Sequence, residues 1–181
     1  MMTSIVILSG SPFAQSRTDR VLQYLRHLLQ EKGCSITYVS VRDVPAEDLV
    51  GCKFDSPSVQ HAVHAIRQAD GVIVGSPVYQ AAYSGALKML IDLLPMDIFQ
   101  GTPVLPVMTG GTKSHLLALE TTLKPLLATL KAHNLKGIYL VDGEIDKELD
   151  VPITEPGVHK RTLKQLDYFL EFVGKLTGNP I

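Results

Sequence analysis

Residues 9–18 read Ser-Gly-Ser-Pro-Phe-Ala-Gln-Ser-Arg-Thr. This one loop carries four hydroxyls, on Ser9, Ser11, Ser16 and Thr18, and the fixed positive charge of Arg17. It follows a short apolar run, Ile5-Val6-Ile7-Leu8, and leads into a stretch with helical periodicity. Where a strand hands over to a helix, the first-turn N–H groups lack internal partners and the helix dipole is positive. Such a junction attracts an anion. A plain capped turn would need only Ser16 or Thr18 as N-cap. Four hydroxyls beside an arginine favour a phosphate.

Two further strand-ending loops carry residues suited to a flat ligand. Ser76-Pro77-Val78-Tyr79-Gln80-Ala81-Ala82-Tyr83-Ser84-Gly85 pairs small residues, which permit close approach, with Tyr79, which can stack on a ring or plug the sheet edge. Thr109-Gly110-Gly111-Thr112 puts adjacent glycines where main-chain amides can approach a ligand with no Cβ in the way. His115 follows one turn into the next helix. Several signatures are missing. The sequence has no GxGxxG, and Gly111-Thr112-Lys113-Ser114 lacks the upstream glycine of a P-loop because Pro106 stands there. It has no GxSxG elbow, no HExxH helix and no Cys-x5-Arg, so the usual hydrolase and cysteine phosphatase chemistries are excluded. No metal-ligand set is expected.

The elements that must hold these loops alternate. Strands are predicted at residues 5–8, 35–41, 71–75, 103–108 and 136–141, from short β-branched runs that end at Gly, Ser or Pro. Helices are predicted at 18–32, 57–68, 84–94 and 112–133, with a last one marked by Leu163, Leu166, Phe169, Leu170, Val173 and Leu176. Alternation of this kind gives βαβ crossovers and a parallel sheet covered on both faces. A ligand then sits at the carboxyl ends of the strands. Residues 1–181 read as one three-layer α/β domain, with no repeat, linker or low-complexity stretch.

Composition narrows the function. There are 17 Lys and Arg against 18 Asp and Glu, a net charge of −1, with no basic block to attract a nucleic acid. No apolar run reaches the ~20 residues of a membrane span. The N-terminal apolar run is too short for a signal peptide, and Cys34 and Cys52 form neither a CxxC pair nor a disulfide framework. The expectation is a cytoplasmic protein with reduced thiols.

Taken together, Ser9-Gly10-Ser11-Pro12 with Ser16-Arg17-Thr18, Ser76-Pro77-Val78-Tyr79, Ser84-Gly85-Ala86-Leu87-Lys88 and Thr109-Gly110-Gly111-Thr112 resemble the NADPH-dependent FMN reductases of the flavodoxin-like fold. The likeness is closest to the reductase component of alkanesulfonate monooxygenase systems and runs from the first strand to about His133. It implies a five-stranded parallel sheet of order 2-1-3-4-5 with FMN at the switch between strands one and three. It further implies that Ser9, Ser11, Ser16, Arg17 and Thr18 hold the FMN phosphate. Pro77, Val78 and Tyr79 would border the isoalloxazine and ribityl chain, with Ser84 nearby. Thr109, Gly110, Gly111 and Thr112 would contact the pyrimidine edge, close to His115.

The implied reaction is hydride transfer from NADPH to FMN, which needs no protein nucleophile. The implied partners are a flavin-dependent monooxygenase and further copies of the chain, as a homodimer or homotetramer. An FMN-bound quinone, azo or chromate reductase is a neighbouring reading, and a flavodoxin-type electron carrier is one of a different class. Sulfonate-linked members can carry an inserted aromatic residue in the helix after the Gly-Gly turn. Here that stretch is Leu119-Glu120-Thr121-Thr122-Leu123, without a tyrosine. Pro125 cannot donate to the carbonyl of Thr121, which predicts a kink or bulge there.

Overall fold

The computed structural model describes residues 2–178. Its central strands are apolar on both faces, as a covered parallel sheet requires. In β1 (Ser4–Ser9), Val6 and Leu8 point to one side and Ile5 and Ile7 to the other. The same alternation separates Val72 and Val74 from Ile73 in β3 (Gly71–Tyr79), and Val104 from Leu105 and Val107 in β5 (Pro103–Gly110). Each set anchors its own core. The Ile5 side packs on α1 (Arg17–Glu31) and α7 (Pro156–Thr177). The Val6 side packs on α2 (Ala46–Val50), α3 (Pro57–Arg67), α4 (Gly85–Asp92) and the segment ending in α6 (Lys124–Thr129). The layers are α/β/α, the flavodoxin-like arrangement. At Gly75 the fit is close: a Cβ there would lie 2.5 Å from Leu22 of α1.

The sheet corrects the expected five strands in order 2-1-3-4-5. Among the described residues it has seven, ordered β2 (Ser35–Ser40), β1, β3, β5 and β6 (His133–Asn134), with β4 (Ala82–Tyr83) paired to β3 and β7 (Ile138–Val141) to β5. Two local causes account for the difference. β3 does not stop at Ser76-Pro77. It continues to Tyr79 and folds back through Gln80-Ala81 into β4 (Ala82–Tyr83). Both turn residues have positive φ, 48° and 61°, as a type I′ hairpin turn requires. Gln-Ala lacks the Asn-Gly pattern that signals such a turn. The second cause lies at the far edge. β6 (His133–Asn134) pairs with Pro103 and Val104, and β7 (Ile138–Val141) pairs with Val107 to Gly110. Pro106, which has no N–H to donate, packs against Gly137, whose φ is +85° and on which a Cβ would lie only 2.9 Å from the Pro106 ring. The edge strand is split at that point. β2 (Ser35–Ser40) closes the other edge against β1.

The predicted helix 112–133 is also broken. A 3₁₀ turn at Lys113–His115 and a short α5 (Leu116–Ala118) precede a π-helical turn, Leu119–Leu123. The bulge expected from Pro125 is present. The hydroxyls of Thr121 and Thr122 donate to the carbonyls of Leu117 and Ala118. Side chains thus satisfy carbonyls that widened π geometry displaces.

Candidate functional site

The carboxyl ends of β1, β3, β5 and β7 lie together, and a cleft of about 390 Å³ opens there. That is within the range of small-molecule sites. A larger hollow of about 620 Å³ lies between Lys32 and the end of α7, at the amino ends of the strands, where no strand-terminal loop converges. Ligands of open α/β sheets gather at the carboxyl ends of the strands, which makes the first cleft the candidate site.

One wall of the cleft is the first loop. Ser16 caps α1: its hydroxyl accepts from the amide of Asp19 at 3.1 Å and meets the Ser11 hydroxyl at 2.7 Å. The amides of Arg17 and Thr18 precede any helical acceptor and are left for a ligand. Gln15 adopts φ 60°, a left-handed turn that presents Ser16 to the helix start. Beneath the loop, the buried Asp19 carboxylate accepts from the Tyr38 hydroxyl at 2.8 Å and from Arg42 at 3.1 Å. Arg42 also donates to the loop carbonyls of Ser11 at 2.9 Å and Phe13 at 3.4 Å. Its planar fork therefore clamps the loop onto Asp19. Burial, opposed by a hydrogen bond with Ser9 and reinforced by Asp19, pushes the Tyr38 phenol well above its ordinary value.

Pro77, Val78 and Tyr79 form a second part of the lining, and Thr109, Gly110 and Gly111 a third. Phe13 is 64% exposed and Tyr79 is 42% exposed, so both aromatic faces are available at the rim. The third loop is fixed from behind. The Tyr139 hydroxyl donates to the carbonyl of Thr112, and a Cβ on Gly110 would lie 2.6 Å from the Tyr139 hydroxyl oxygen. Burial, then the nearby charges of Asp142 and Glu144, raise the Tyr139 phenol, which keeps it a donor.

Of the residues expected at the site, Ser16, Arg17, Thr18, Pro77, Val78, Tyr79, Thr109, Gly110 and Gly111 line this cleft. Ser9, Ser11 and Ser84 are fully or almost fully buried, and their hydroxyls are engaged within the protein. Ser9 donates to Asp19, Ser11 bonds Ser16 and the carbonyl of Phe13, and Ser84 caps α4 and donates to the carbonyl of Gly10. Thr112, which is exposed, and His115 are not part of the lining. His115 is half-buried in the 3₁₀ turn, with Nδ1 sealed and unpartnered among the described residues. Sequence reasoning missed Asp142 and Lys147, which follow β7 and complete the cleft. The rule that ligands gather at strand carboxyl ends points to them, since they follow one such end. Phe13, Ala14 and Gln15 lay inside the loop already singled out.

A parallel sheet of this order, covered by helices on both faces, defines a protein of the flavodoxin-like class. Residues 3–146 match the NADPH-dependent FMN reductase family model, and the chain belongs to that family. It is 46% identical over 142 residues to the FMN reductase (NADPH) of Pseudomonas putida, covering 78% of this chain and 72% of the relative. With the FMN reductase (NADPH) of Escherichia coli it shares 40% over 166 residues, covering 91% and 87%. The structure superposes on the apo form of an NADH:FMN oxidoreductase, EMOB, with a TM-score of 0.83 and 30% identity, covering 93% of this chain and 88% of that one. The protein is an oxidoreductase with FMN as its flavin and a nicotinamide nucleotide as electron donor. No helix among the described residues is long and apolar enough to cross a membrane.

Proposed function

We propose that the cleft between the first, second and third loops is where FMN binds and where NADPH reduces it. The observation that carries this reading is the meeting of an open helix N-terminus with the Gly110–Gly111 turn in one cleft. The first end offers amides and Arg17 to a phosphate. The second offers main-chain donors to the polar edge of a ring. Gly111 has nothing within 4 Å of where a Cβ would point, so that approach is unobstructed. The residues present fit the flavin's two chemically different ends.

When bound, FMN supplies a hydride acceptor at its N5 atom. The protein supplies position and field. Ser16, Arg17 and Thr18 hold the phosphate end. Pro77, Val78 and Tyr79 border the ring. Amides of the Thr109–Gly111 turn would supply fixed donors to the polar edge of the ring, and pre-set donors of this kind need no reorganisation. The exposed rings of Tyr79 and Phe13 at the rim would offer stacking surfaces to the nicotinamide donor.

The physiological role we infer is delivery of reduced FMN to a flavin-dependent monooxygenase in sulfonate sulfur assimilation, by a cytoplasmic homodimer or homotetramer. A relative 34% identical over 168 residues, from Pseudomonas putida, is named NADH-dependent FMN reductase SfnF. The deciding measurement is steady-state NADPH and NADH oxidation with FMN varied from none to excess. Oxidation that rises with FMN and saturates is expected. Equal rates after complete flavin removal would refute the assignment.

A further inference from the structure

Lys147 lines the cleft from just beyond residues 3–146, the span matched by the family model. It sits at the tip of a short, well-fastened loop. Ile145 and Ile153, both buried in the core under α1 and α7, face each other across an antiparallel bridge. The amide of Asp146 donates to the carbonyl of Pro152 at 2.8 Å, and that of Thr154 to Glu144 at 2.9 Å. The Asp146 carboxylate accepts from the amide of Glu148 at 3.0 Å and turns the chain at Lys147.

A second fastening comes from α1. Arg20 donates to the main-chain carbonyl of Lys147 at 3.2 Å and to that of Leu149. Arg20 lies three residues after Arg17, so the two share one helix face. The helix whose start faces the cleft thus also straps down the loop that brings Lys147 to it. Among the described residues, no carboxylate lies within 4 Å of the Arg17 guanidinium or the Lys147 ammonium, although Asp142 lines the same cleft. Two unpaired cations on separate segments beside a helix N-terminus suit a dianion.

We propose that Lys147 is a phosphate-binding residue of this cleft, that Arg20 positions it, and that its ligand group is a phosphate monoester. Two groups carry that chemistry here, the 2′-phosphate of NADPH and the 5′-phosphate of FMN. The proposal rests on the cleft being the flavin site.

The test is Lys147→Met, which keeps the stem and removes the charge. Dissociation constants for FMN and riboflavin are read by flavin fluorescence, and KM values for NADPH and NADH at saturating flavin. The expected result is a loss of about five- to tenfold for the phosphate-bearing member of one pair, with its phosphate-free counterpart unchanged. The FMN and riboflavin pair would assign the 5′-phosphate, and the NADPH and NADH pair the 2′-phosphate. Arg20→Gln should reproduce the same selectivity at smaller size, and Lys147→Arg should restore it. Equal losses for both members of each pair, or no loss, would overturn the proposal while leaving the flavin site intact. Wild-type protein that binds neither FMN nor riboflavin would overturn both.

Discussion

The hydroxyls of Thr18 and Thr109 meet at 2.6 Å, both almost fully buried, 91 residues apart in sequence. This contact ties the first turn of α1 to the end of β5 and so joins two walls of the cleft at its floor. Each hydroxyl has the other as partner, and removing one strands the other away from water.

Thr109→Val should therefore destabilise the protein by about 1–3 kcal/mol, the cost of a buried hydroxyl left unpaired. Thr18→Val/Thr109→Val should recover much of that loss, because two apolar groups of the same shape leave nothing unsatisfied. Urea denaturation of the four proteins in the cycle is the measurement. Strictly additive losses would show that the two hydroxyls are satisfied independently.

Gly110 and Tyr139 carry a second prediction. Gly110→Ala places a methyl 2.6 Å from the Tyr139 oxygen, so the phenol must leave the Thr112 carbonyl. We expect about tenfold weaker FMN binding from the displaced third loop. Tyr139→Phe removes the obstructing oxygen, and the double variant should bind FMN better than Gly110→Ala alone. Val78, 3.3 Å from the same point, keeps the recovery partial. A double variant no better than the single one would mean that the clash lies elsewhere.

Ser16 serves two ends that can be separated. As N-cap it accepts from Asp19, so Ser16→Ala should cost about 1 kcal/mol of stability in the flavin-free protein. Its own proton is a different matter. While Ser11 donates to Phe13, Ser16 donates to Ser11; when Ser11 turns its proton to Ser16, the Ser16 proton is released to a phosphate. Fluorescence titration should then show Ser16→Ala weakening FMN binding by about 1 kcal/mol more than riboflavin binding. Equal weakening for both flavins would leave Ser16 with the cap alone.

The sequence made the layers and the loops legible for the same reason: apolar runs that end at Gly, Ser or Pro report both where a strand stops and where a ligand can sit. It did not report what each loop hydroxyl does. Ser9, Ser11, Ser16 and Thr18 read alike as phosphate donors, yet three of them, Ser9, Ser11 and Thr18, are buried with their hydroxyls engaged inside the protein. Which hydroxyl faces out depends on Arg42 and Asp19, and only the packing of β2 beside β1 brings Arg42 to the loop. The two extra strands escaped because each is a pair of residues, one formed by an uncommon turn sequence and one split off opposite Pro106. Lys147 escaped because nothing in a polar loop marks its tip until Arg20 is seen holding it.

Tyr38 gives the protein an alkaline limit. Burial, chiefly, holds its folded-state pKa above the ordinary value of about 10. A raised folded pKa contributes stability that is fully present below the unfolded value and is lost as pH climbs through the folded one. Wild-type stability should thus fall progressively as pH rises above about 10, because the unfolded chain releases this proton and the folded chain retains it. Tyr38→Phe removes this contribution. It should lose its hydrogen bond to Asp19 at neutral pH and lower Tm there, yet show a shallower decline above pH 10. Thermal melts of both proteins across that interval decide the matter. Parallel declines would mean that the phenol ionises in the folded protein as readily as in the unfolded chain.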